Sequence, residues 1–247
     1  MTLPLLEARD LSVRFGGLTA VDAVSASFLA GELVGIIGPN GAGKTTFFNA
    51  LSGVLAPTSG DILVQGQQLT GAPPHRYAHH GIARTFQTPR VFAALSVADN
   101  VDFGLQFAGR RRTSSWLLKD STSILNLIGL QAQAALPAAA VTPSQQRLLE
   151  IGMALATRPK LLLLDEVAAG LTESEVEAMA QLIRRLRDEL DLTVVWIEHA
   201  VTTLLRHVQR VLVLHQGRKI ADGPPTEVVQ NAEVIEAYLG DEMEAVA

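Results

Sequence analysis

The feature that most constrains this chain is the string GPNGAGKTT at residues 38–46. The apolar run at residues 33–37 precedes it and is typical of a buried parallel strand, while residues 44–52 have the pattern of a helix. Where a strand is followed by a loop of the form G-x-x-x-x-G-K-[ST] and then by a helix, the backbone N–H groups of the loop surround phosphate oxygens at the helix N-terminus. The string therefore predicts a nucleotide-binding loop rather than an ordinary turn.

Two side chains of this loop have specific expected roles. Lys44 is expected to reach the β- and γ-phosphates as a point charge, and the Thr45 hydroxyl is expected to ligate Mg²⁺. The other residues of the loop expected to contact the nucleotide are Gly38, Pro39, Asn40, Gly41, Ala42, Gly43 and Thr46.

A second part of the site is predicted where four leucines at residues 161–164 are followed by Asp165 and Glu166. An apolar strand that ends in two carboxylates places both at the C-terminal edge of a parallel sheet, where α/β proteins bind ligands. Asp165 is expected to hold Mg²⁺ through water, and Glu166 is expected to polarise the attacking water. A strand followed by two acidic residues is common, so this interpretation depends on the loop at Lys44.

The rest of the chain predicts an α/β fold with a parallel sheet. Apolar or alternating runs alternate with helical patterns, as in layered α/β proteins. The other predicted strands are residues 7–15, 25–28, 62–64, 161–164, 193–197 and 211–214, and the other predicted helices are 144–158 and 173–190. From about residue 89 to 159 the β-branched runs stop and Ala, Leu and Gln dominate, which indicates a helical insertion.

Composition excludes several classes of function. With 20 Lys and Arg against 25 Asp and Glu, the net charge is −5, so no overall positive field favours nucleic acid as a partner. The absence of cysteine excludes disulfides, Cys-ligated zinc and a thiol nucleophile. No signal peptide is expected at the N-terminus, and the longest uncharged stretch, residues 121–146, is too polar for a membrane span. Phosphate chemistry is therefore expected to be local to the loop.

These motifs, with what lies between them, resemble the ATP-binding cassette (ABC) ATPases over essentially the whole chain. The resemblance implies a P-loop NTPase of the α/β class, with a RecA-like core, an N-terminal antiparallel β-subdomain and an inserted helical subdomain. It implies one cassette over residues 1–247, in which 1–88 and 159–247 form the catalytic core and 89–158 the helical subdomain. The cofactors that it implies are ATP and Mg²⁺.

Three further site residues follow from the resemblance alone. Phe15 matches the aromatic residue that stacks on adenine, with an ordinary core aromatic as the alternative. Gln87, in the string RTFQ, matches the glutamine that contacts Mg²⁺ and water and links the core to the helical subdomain. His199 matches the histidine that hydrogen-bonds the γ-phosphate. The implied catalytic residues are thus Glu166, His199, Gln87 and Lys44, and the implied metal ligands are Thr45, Gln87 and Asp165.

The chain departs from the family at the signature segment, where the usual Leu-Ser-Gly-Gly-Gln reads VTPSQ at residues 141–145. In the family this segment faces the γ-phosphate held by the partner subunit, so the implied contacts are Thr142, Ser144 and Gln145. Pro143 has no N–H to donate, and Ser144 adds a side chain where glycine allows close approach. Thr142 as N-cap with Gln145 at N3 still makes a good helix start. The helix is expected to persist while its phosphate contact weakens.

The loop after Glu166 also departs from the family. It reads VAAGLT at residues 167–172, where the family usually has Pro first and Asp or Asn last. Thr172 is expected to cap the following helix, with Glu175 three residues on. Communication between the two subunits through this loop is therefore expected to differ from the family pattern.

Within the family, the chain looks like the ATPases of branched-chain amino acid uptake transporters. The matching strings are FGGL at 15–18, GIARTFQ at 81–87, AGL at 169–171, WIEH at 196–199 and VIEAYLG at 234–240. This implies uptake of a small polar solute through a membrane permease, with a second, different cassette as dimer partner and an external solute-binding protein. It also implies a peripheral position on the cytoplasmic face of the inner membrane.

Other functions fit parts of the same sequence pattern. Cassettes of urea or amide importers and of lipopolysaccharide exporters share much of the same pattern, and the altered signature favours a regulatory nucleotide-binding subunit with weak ATPase as a second class. A chromosome or repair ATPase would need long coiled-coil heptads, and a translation-type protein would need two cassettes, so neither fits 247 residues of this composition. The run RRR at residues 110–112 is interpreted as a solvated loop, with contact to anionic lipid headgroups as the alternative.

Overall fold

The fold consists of two β-sheets with helices packed around them. The structure, a computed structural model, describes residues 3–108, 117–198 and 201–244. Its strands are β1 (Leu6–Phe15), β2 (Leu18–Phe28), β3 (Leu33–Ile37), β4 (Ser59–Val64), β5 (Gln67–Gln68), β6 (Ile82–Arg84), β7 (Leu161–Asp165), β8 (Thr193–Ile197), β9 (Arg210–His215) and β10 (Arg218–Gly223). Its helices are α1 (Lys44–Leu51), α2 (Pro74–His79), α3 (Val97–Phe107), α4 (Ser121–Leu127), α5 (Pro143–Ala156), α6 (Glu173–Leu190), α7 (Val201–His207), α8 (Pro225–Val228) and α9 (Ala232–Glu244).

The first sheet is antiparallel and has the strand order β2-β1-β4-β5. Apolar residues of β1 such as Leu6 and Leu11 are buried, whereas Glu7 and Arg9 on the other face form an ion pair in contact with solvent. This is the alternation expected of a sheet with one covered face. At its far end β1 turns into β2, and Phe15 is paired with Leu18 across the turn.

The second sheet has the order β10-β9-β3-β8-β7-β6 and carries the site at one edge. All of its neighbouring pairs are parallel except β10 with β9. Every residue of the three central strands β3, β7 and β8 is buried, which explains their continuous apolar sequences. Because these strands are parallel, the loop after β3 and the carboxylates at the end of β7 come to the same edge.

The helices α3, α4 and α5, which come from the middle of the sequence, pack against one another. The contact between α3 and α5 depends on Gly104, because a Cβ there would lie 2.8 Å from the Ala156 Cβ and 2.8 Å from the Met153 carbonyl oxygen. Helix α5 then leads directly into β7, so the signature segment and Asp165 lie at opposite ends of one helix–strand unit.

The predicted α/β class and the predicted elements are confirmed, but two strands are longer than predicted. The strand predicted at residues 62–64 is the second half of β4, which begins at Ser59. The strand predicted at residues 25–28 is the second half of β2, which begins at Leu18. Ala23 has a positive φ of 49° and interrupts the alternation, which is why the pattern started too late. Within the described ranges, no helix combines the length and the apolar character needed to cross a membrane.

Candidate nucleotide-binding site

The loop between β3 and α1 has the backbone that a phosphate-binding loop requires. Gly43 is the N-cap of α1, has a φ of 94° and leaves the first turn without a side-chain cap. A Cβ at Gly43 would lie 2.3 Å from the carbonyl oxygen of Ala20 on β2, so no other residue fits here without movement. The helix therefore begins with N–H groups that remain available to an anion.

Lys44 lies inside this loop. Its Nζ donates to the carbonyl oxygens of Gly38 at 2.6 Å and of Pro39 at 2.9 Å, and the residue is almost fully buried. The two carbonyl oxygens thus hold the Lys44 side chain at the place where phosphate oxygens are expected.

Phe15 lies beside the loop and not in the core. It is 52% exposed, and with Leu18 and Ala20 it forms one wall of a cavity of about 380 Å³. The rest of the lining is residues 40–46 and Glu166. The alternative of an ordinary core aromatic is therefore wrong for Phe15, and its ring has the exposure that stacking on a flat base requires.

Asp165, at the end of β7, is paired with an arginine. The Arg84 Nη2 atom of the adjacent strand β6 lies 3.0 Å from the Asp165 Oδ2 atom, and both side chains are buried. The Arg84 Nη1 atom donates to the Asn49 side chain and to the Ser52 hydroxyl, each at 2.8 Å. Burial lowers the pKa of Arg84, and its interaction with Asp165 opposes this effect. Arg84 thus joins the end of α1 to the end of β7.

Glu166 and Gln87 are in direct contact. The Gln87 amide nitrogen donates to the Glu166 carboxylate at 2.6 Å. Glu166 has a positive φ of 51°, an uncommon conformation for a residue other than glycine. Its N–H donates to the Ile197 carbonyl at 3.0 Å, and its own carbonyl accepts from Arg147 Nη1 at 2.9 Å. These contacts hold the strained backbone in place.

The residues expected to bind Mg²⁺ offer suitable ligand atoms. Mg²⁺ prefers oxygen and is commonly held by one or two carboxylates together with water and substrate phosphates. Thr45, Gln87 and Asp165 supply a hydroxyl, an amide oxygen and a carboxylate. Among the described residues, no group of three or more His, Cys, Asp or Glu side chains is placed to hold a metal ion. The chemistry of the three donors fits Mg²⁺. Thr45 lines the cavity beside Lys44, whereas Gln87 and Asp165 are not on that lining but contact or adjoin Glu166, which is.

The signature segment begins α5 as the sequence predicts. The Thr142 hydroxyl accepts from the Gln145 N–H at 3.2 Å, and the Gln145 side chain accepts from the Thr142 N–H at 3.0 Å, which is the predicted capping box. Pro143 has no N–H. Of the four N–H positions at this helix start, only that of Ser144 remains for an anion among the described contacts. Thr142, Ser144 and Gln145 do not line the cavity beside Lys44.

The loop after Glu166 is tied to the neighbouring strand. Thr172 caps α6 in a second capping box with Glu175, as predicted. The Glu198 carboxylate, just beyond β8, accepts from the Ala168 N–H at 2.7 Å and from the Trp196 indole at 3.0 Å. His199 follows immediately but lies outside the described residues, as does the basic run at 110–112.

Sequence reasoning missed the contacts made by Arg84, Arg147, Glu150 and Glu198. Arg84 and Glu198 lie in strings, at residues 81–87 and 196–199, whose only signal in the sequence is their similarity to the family. Glu150 had one available signal: it is an acidic residue inside a predicted helix, with the apolar Leu149 and Ile151 as its neighbours in sequence. Nothing local in the sequence identifies its partners, which lie 60 and 64 residues away.

Comparison with known proteins now identifies the family. The model for "ABC transporter" matches residues 21–169, more than half of the chain. The chain belongs to the ABC transporter family. A second model, for the "Branched-chain amino acid ATP-binding cassette transporter", matches residues 218–244. The resemblance to ABC ATPases and the cassette fold inferred from it are thereby confirmed.

Relatives from this family match the chain over nearly all of its length. The high-affinity branched-chain amino acid transport ATP-binding protein BraF of Pseudomonas aeruginosa is 37% identical, covering 98% of this chain and 100% of BraF. The protein LivG of Escherichia coli K12, of the same description, is 39% identical with the same coverage. The crystal structure of the ADP conformation of MJ1267, an ATP-binding cassette of an ABC transporter, aligns with a TM-score of 0.84 at 29% identity, covering 97% of this chain and 100% of that one.

Proposed function

We propose that this chain is the ATP-hydrolysing subunit of a transporter that takes up branched-chain amino acids. As an ABC ATPase it couples ATP hydrolysis to transport and works with a permease in the membrane. The amino acid specificity is supported by the relatives BraF and LivG, which match it end to end and are described as branched-chain amino acid transport proteins. The proposed ATP hydrolysis is supported by the position of Glu166, which lies on the lining of the cavity beside Lys44.

The chain's own residues divide the work of binding and hydrolysis. Phe15 stacks on the adenine, and the backbone N–H groups of residues 38–46 surround the phosphates. Lys44, held now by two carbonyl oxygens, transfers its hydrogen bonds to the β- and γ-phosphates. Glu166 orients the attacking water and accepts its proton, while Gln87 holds the Glu166 carboxylate at 2.6 Å. His199 is proposed to hydrogen-bond the γ-phosphate.

Mg²⁺ is part of the proposal. Thr45, Gln87 and Asp165 would hold it, and when bound it neutralises charge that develops on the phosphates during transfer. For this chain the consequence is that the Asp165 carboxylate must serve both the ion and Arg84, which it contacts at 3.0 Å.

We further propose a second, different cassette as dimer partner. In such a pair Glu166 and Lys44 face the partner's signature, and the partner's nucleotide faces the capped start of α5. The cassette core is proposed to comprise residues 1–88 and 159–247 and the helical subdomain residues 89–158. The assembly is proposed to lie at the cytoplasmic face of the inner membrane, with the external solute-binding protein acting through the permease.

The site assignment is tested by turnover of the assembled transporter. Glu166→Gln in this chain should lower the ATPase rate by 100-fold or more, because the water loses its proton acceptor. The equivalent change in the partner should lower it much less, since that site faces Thr142 and Ser144. Glu189→Gln, at an exposed residue that pairs only with Arg185 among the described contacts, is the matched control. If the partner's change alone abolishes turnover, the active site has been assigned to the wrong subunit.

The substrate is tested separately, by uptake in the source cells. Deletion of the gene should remove uptake of radiolabelled leucine, and the Glu166→Gln variant should fail to restore it. Loss of urea uptake with normal leucine uptake would identify a related amide importer instead.

A second function is favoured by one observation: at the start of α5 only the Ser144 N–H remains for an anion among the described contacts. If both sites of a homodimer contain this start, the chain is a regulatory nucleotide-binding subunit with weak ATPase. Purified alone, such a chain binds ATP with little turnover. Rapid turnover by the chain alone contradicts both this reading and the need for a different partner.

A further inference from the structure

Glu150 is a buried carboxylate that lies in the middle of α5 and contacts the loop carrying Gln87. One of its oxygens accepts from the Phe86 N–H at 3.3 Å, and the other accepts from the Arg90 N–H at 2.9 Å. Glu150 is 5% exposed, so it has lost nearly all of its water. Its two hydrogen bonds replace that water and hold the loop of residues 86–90 at both ends.

A second side chain of α5 contacts the same loop between these two points. Arg147 lies one turn before Glu150, and its Nη1 donates to the Gln87 carbonyl at 3.3 Å and to the Glu166 carbonyl at 2.9 Å. Helix α5 therefore contacts backbone groups on each side of the Gln87 side chain, and also the backbone of Glu166.

The ring of Phe86 adds a packing contact to this arrangement. The Arg84 guanidinium carbon lies 4.5 Å from the ring centroid, and that of Arg90 lies 4.1 Å from it. The charges of Arg147 and Arg84 act on Glu150, while the N–H groups of Phe86 and Arg90 face its oxygens. Two N–H donors suit an ionised carboxylate, whereas an amide or a protonated acid presents a donor group of its own at one of the two positions.

We propose that Glu150 is a positioning residue for ATP hydrolysis, which sets the place where Gln87 meets Glu166 by holding the 86–90 loop at both ends. Glu150 itself is not on the lining of the cavity beside Lys44. It acts through backbone N–H groups, so its effect falls on the catalytic step and not on the affinity for ATP. The proposal rests on the catalytic roles proposed above for Gln87 and Glu166.

The first test measures the loop itself and needs no ATPase activity. Hydrogen–deuterium exchange is followed in the full chain for peptides covering residues 84–92, in wild type, Glu150→Gln, Glu150→Met and the exposed control Glu189→Gln. The Met variant should exchange at Phe86 and Arg90 at least tenfold faster, the Gln variant should be intermediate, and the control should match wild type. Unchanged exchange at residues 84–92 in the Gln and Met variants overturns the proposal.

A general loss of folding is distinguished within the same data. In that case peptides from β3 and β8, which do not contact Glu150, would exchange faster as well. The Gln variant keeps the shape of the side chain and one acceptor oxygen, so its exchange decides the outcome if the Met variant unfolds.

The second test separates turnover from binding. In the assembled transporter, kcat should fall about tenfold in Glu150→Met and less in Glu150→Gln, while KM and the Kd for ATP stay within about twofold. A KM that rises as much as kcat falls would show a structural role only. If wild type hydrolyses no ATP, the proposed function fails, whereas the exchange result still decides whether Glu150 holds the loop.

Discussion

Two helices of this chain begin at segments assigned to nucleotide binding, and they begin in opposite ways. Helix α1 starts at Gly43, which has a positive φ and no side-chain cap, so its first N–H groups are open to an anion. Helix α5 starts at Thr142, whose capping box with Gln145 uses or removes most of these donors. An N-cap stabilises a helix and competes with a phosphate for the same N–H groups. The start of α5 is therefore capped by its own side chains and offers an anion fewer N–H donors than the start of α1.

The largest effect is expected at Gly43, where the open start of α1 can be closed. Gly43→Ala places a Cβ 2.3 Å from the Ala20 carbonyl oxygen, at a φ of 94°, so the loop must move. We expect affinity for ATP to fall by about 100-fold, measured by titration with a fluorescent nucleotide. Gly223→Ala is the control, since its Cβ meets only the Glu227 carboxylate at 3.7 Å. Equal affinity in the two variants would show that the open start of α1 is not needed.

A second experiment measures how the protonation of Glu150 changes stability with pH. Glu150 lies in the middle of α5, away from the capped start of the helix. Burial raises the pKa of Glu150 to about 7 from its ordinary 4.5, although the N–H groups of Arg90 and Phe86 and the charges of Arg147 and Arg84 oppose this rise. Between these values the folded chain binds more protons than the unfolded chain, so the free energy of unfolding falls as pH rises from 4.5 to 7.

Between pH 4.5 and 7 the free energy of unfolding of wild type should therefore fall by up to about 3 kcal/mol relative to that of Glu150→Gln. Urea denaturation of both chains at closely spaced pH values measures the difference. Parallel stability curves would mean that Glu150 titrates as an exposed carboxyl does.

A third experiment gives the start of α5 more of the free N–H donors that α1 has. The double change Pro143→Gly and Ser144→Gly restores one N–H donor and removes the side chain that keeps phosphate away. We expect the ATPase rate of a dimer of this chain alone to rise about tenfold, which is about 1.4 kcal/mol of barrier. The same pair in a chain that also contains Glu166→Gln should give no rise, and any rise there would point to a contaminating ATPase.

The smallest effects are expected at the two capping boxes. Thr142→Ala and Thr172→Ala should each lower the free energy of unfolding by about 1 kcal/mol, because each removes a side-chain acceptor for a first-turn N–H. Thermal denaturation measures both. A loss at Thr172 without one at Thr142 would indicate that the signature helix does not depend on its own cap.

Much of the fold was accessible from sequence because its signals are local. The capping boxes at Thr142 and Thr172 and the bounds of α6, Glu173–Leu190, depend on residues within three or four positions of each other. The strand Leu33–Ile37 was readable because both faces of a central parallel strand are apolar.

The remainder depends on contacts between distant segments. Strands β6 and β10 are edge strands with polar residues, and no periodicity distinguishes them from loops. The pairing of Arg84 with Asp165 spans 81 residues, and the contacts of Glu150 with Phe86 and Arg90 span 64 and 60. In the candidate site, the residue types were predictable from the motif, while the hydrogen bonds that fix their positions were not.

The pair formed by Arg84 and Asp165 bears on the charge balance of the folded core. Asp165 and Glu166 are neighbouring acids at a buried sheet edge, where uncompensated negative charge opposes folding. Arg84 supplies a positive charge from the next strand, 3.0 Å from Asp165. The chain's own arginine therefore offsets part of this negative charge, and it joins β6 to β7 by an ion pair in addition to their parallel pairing.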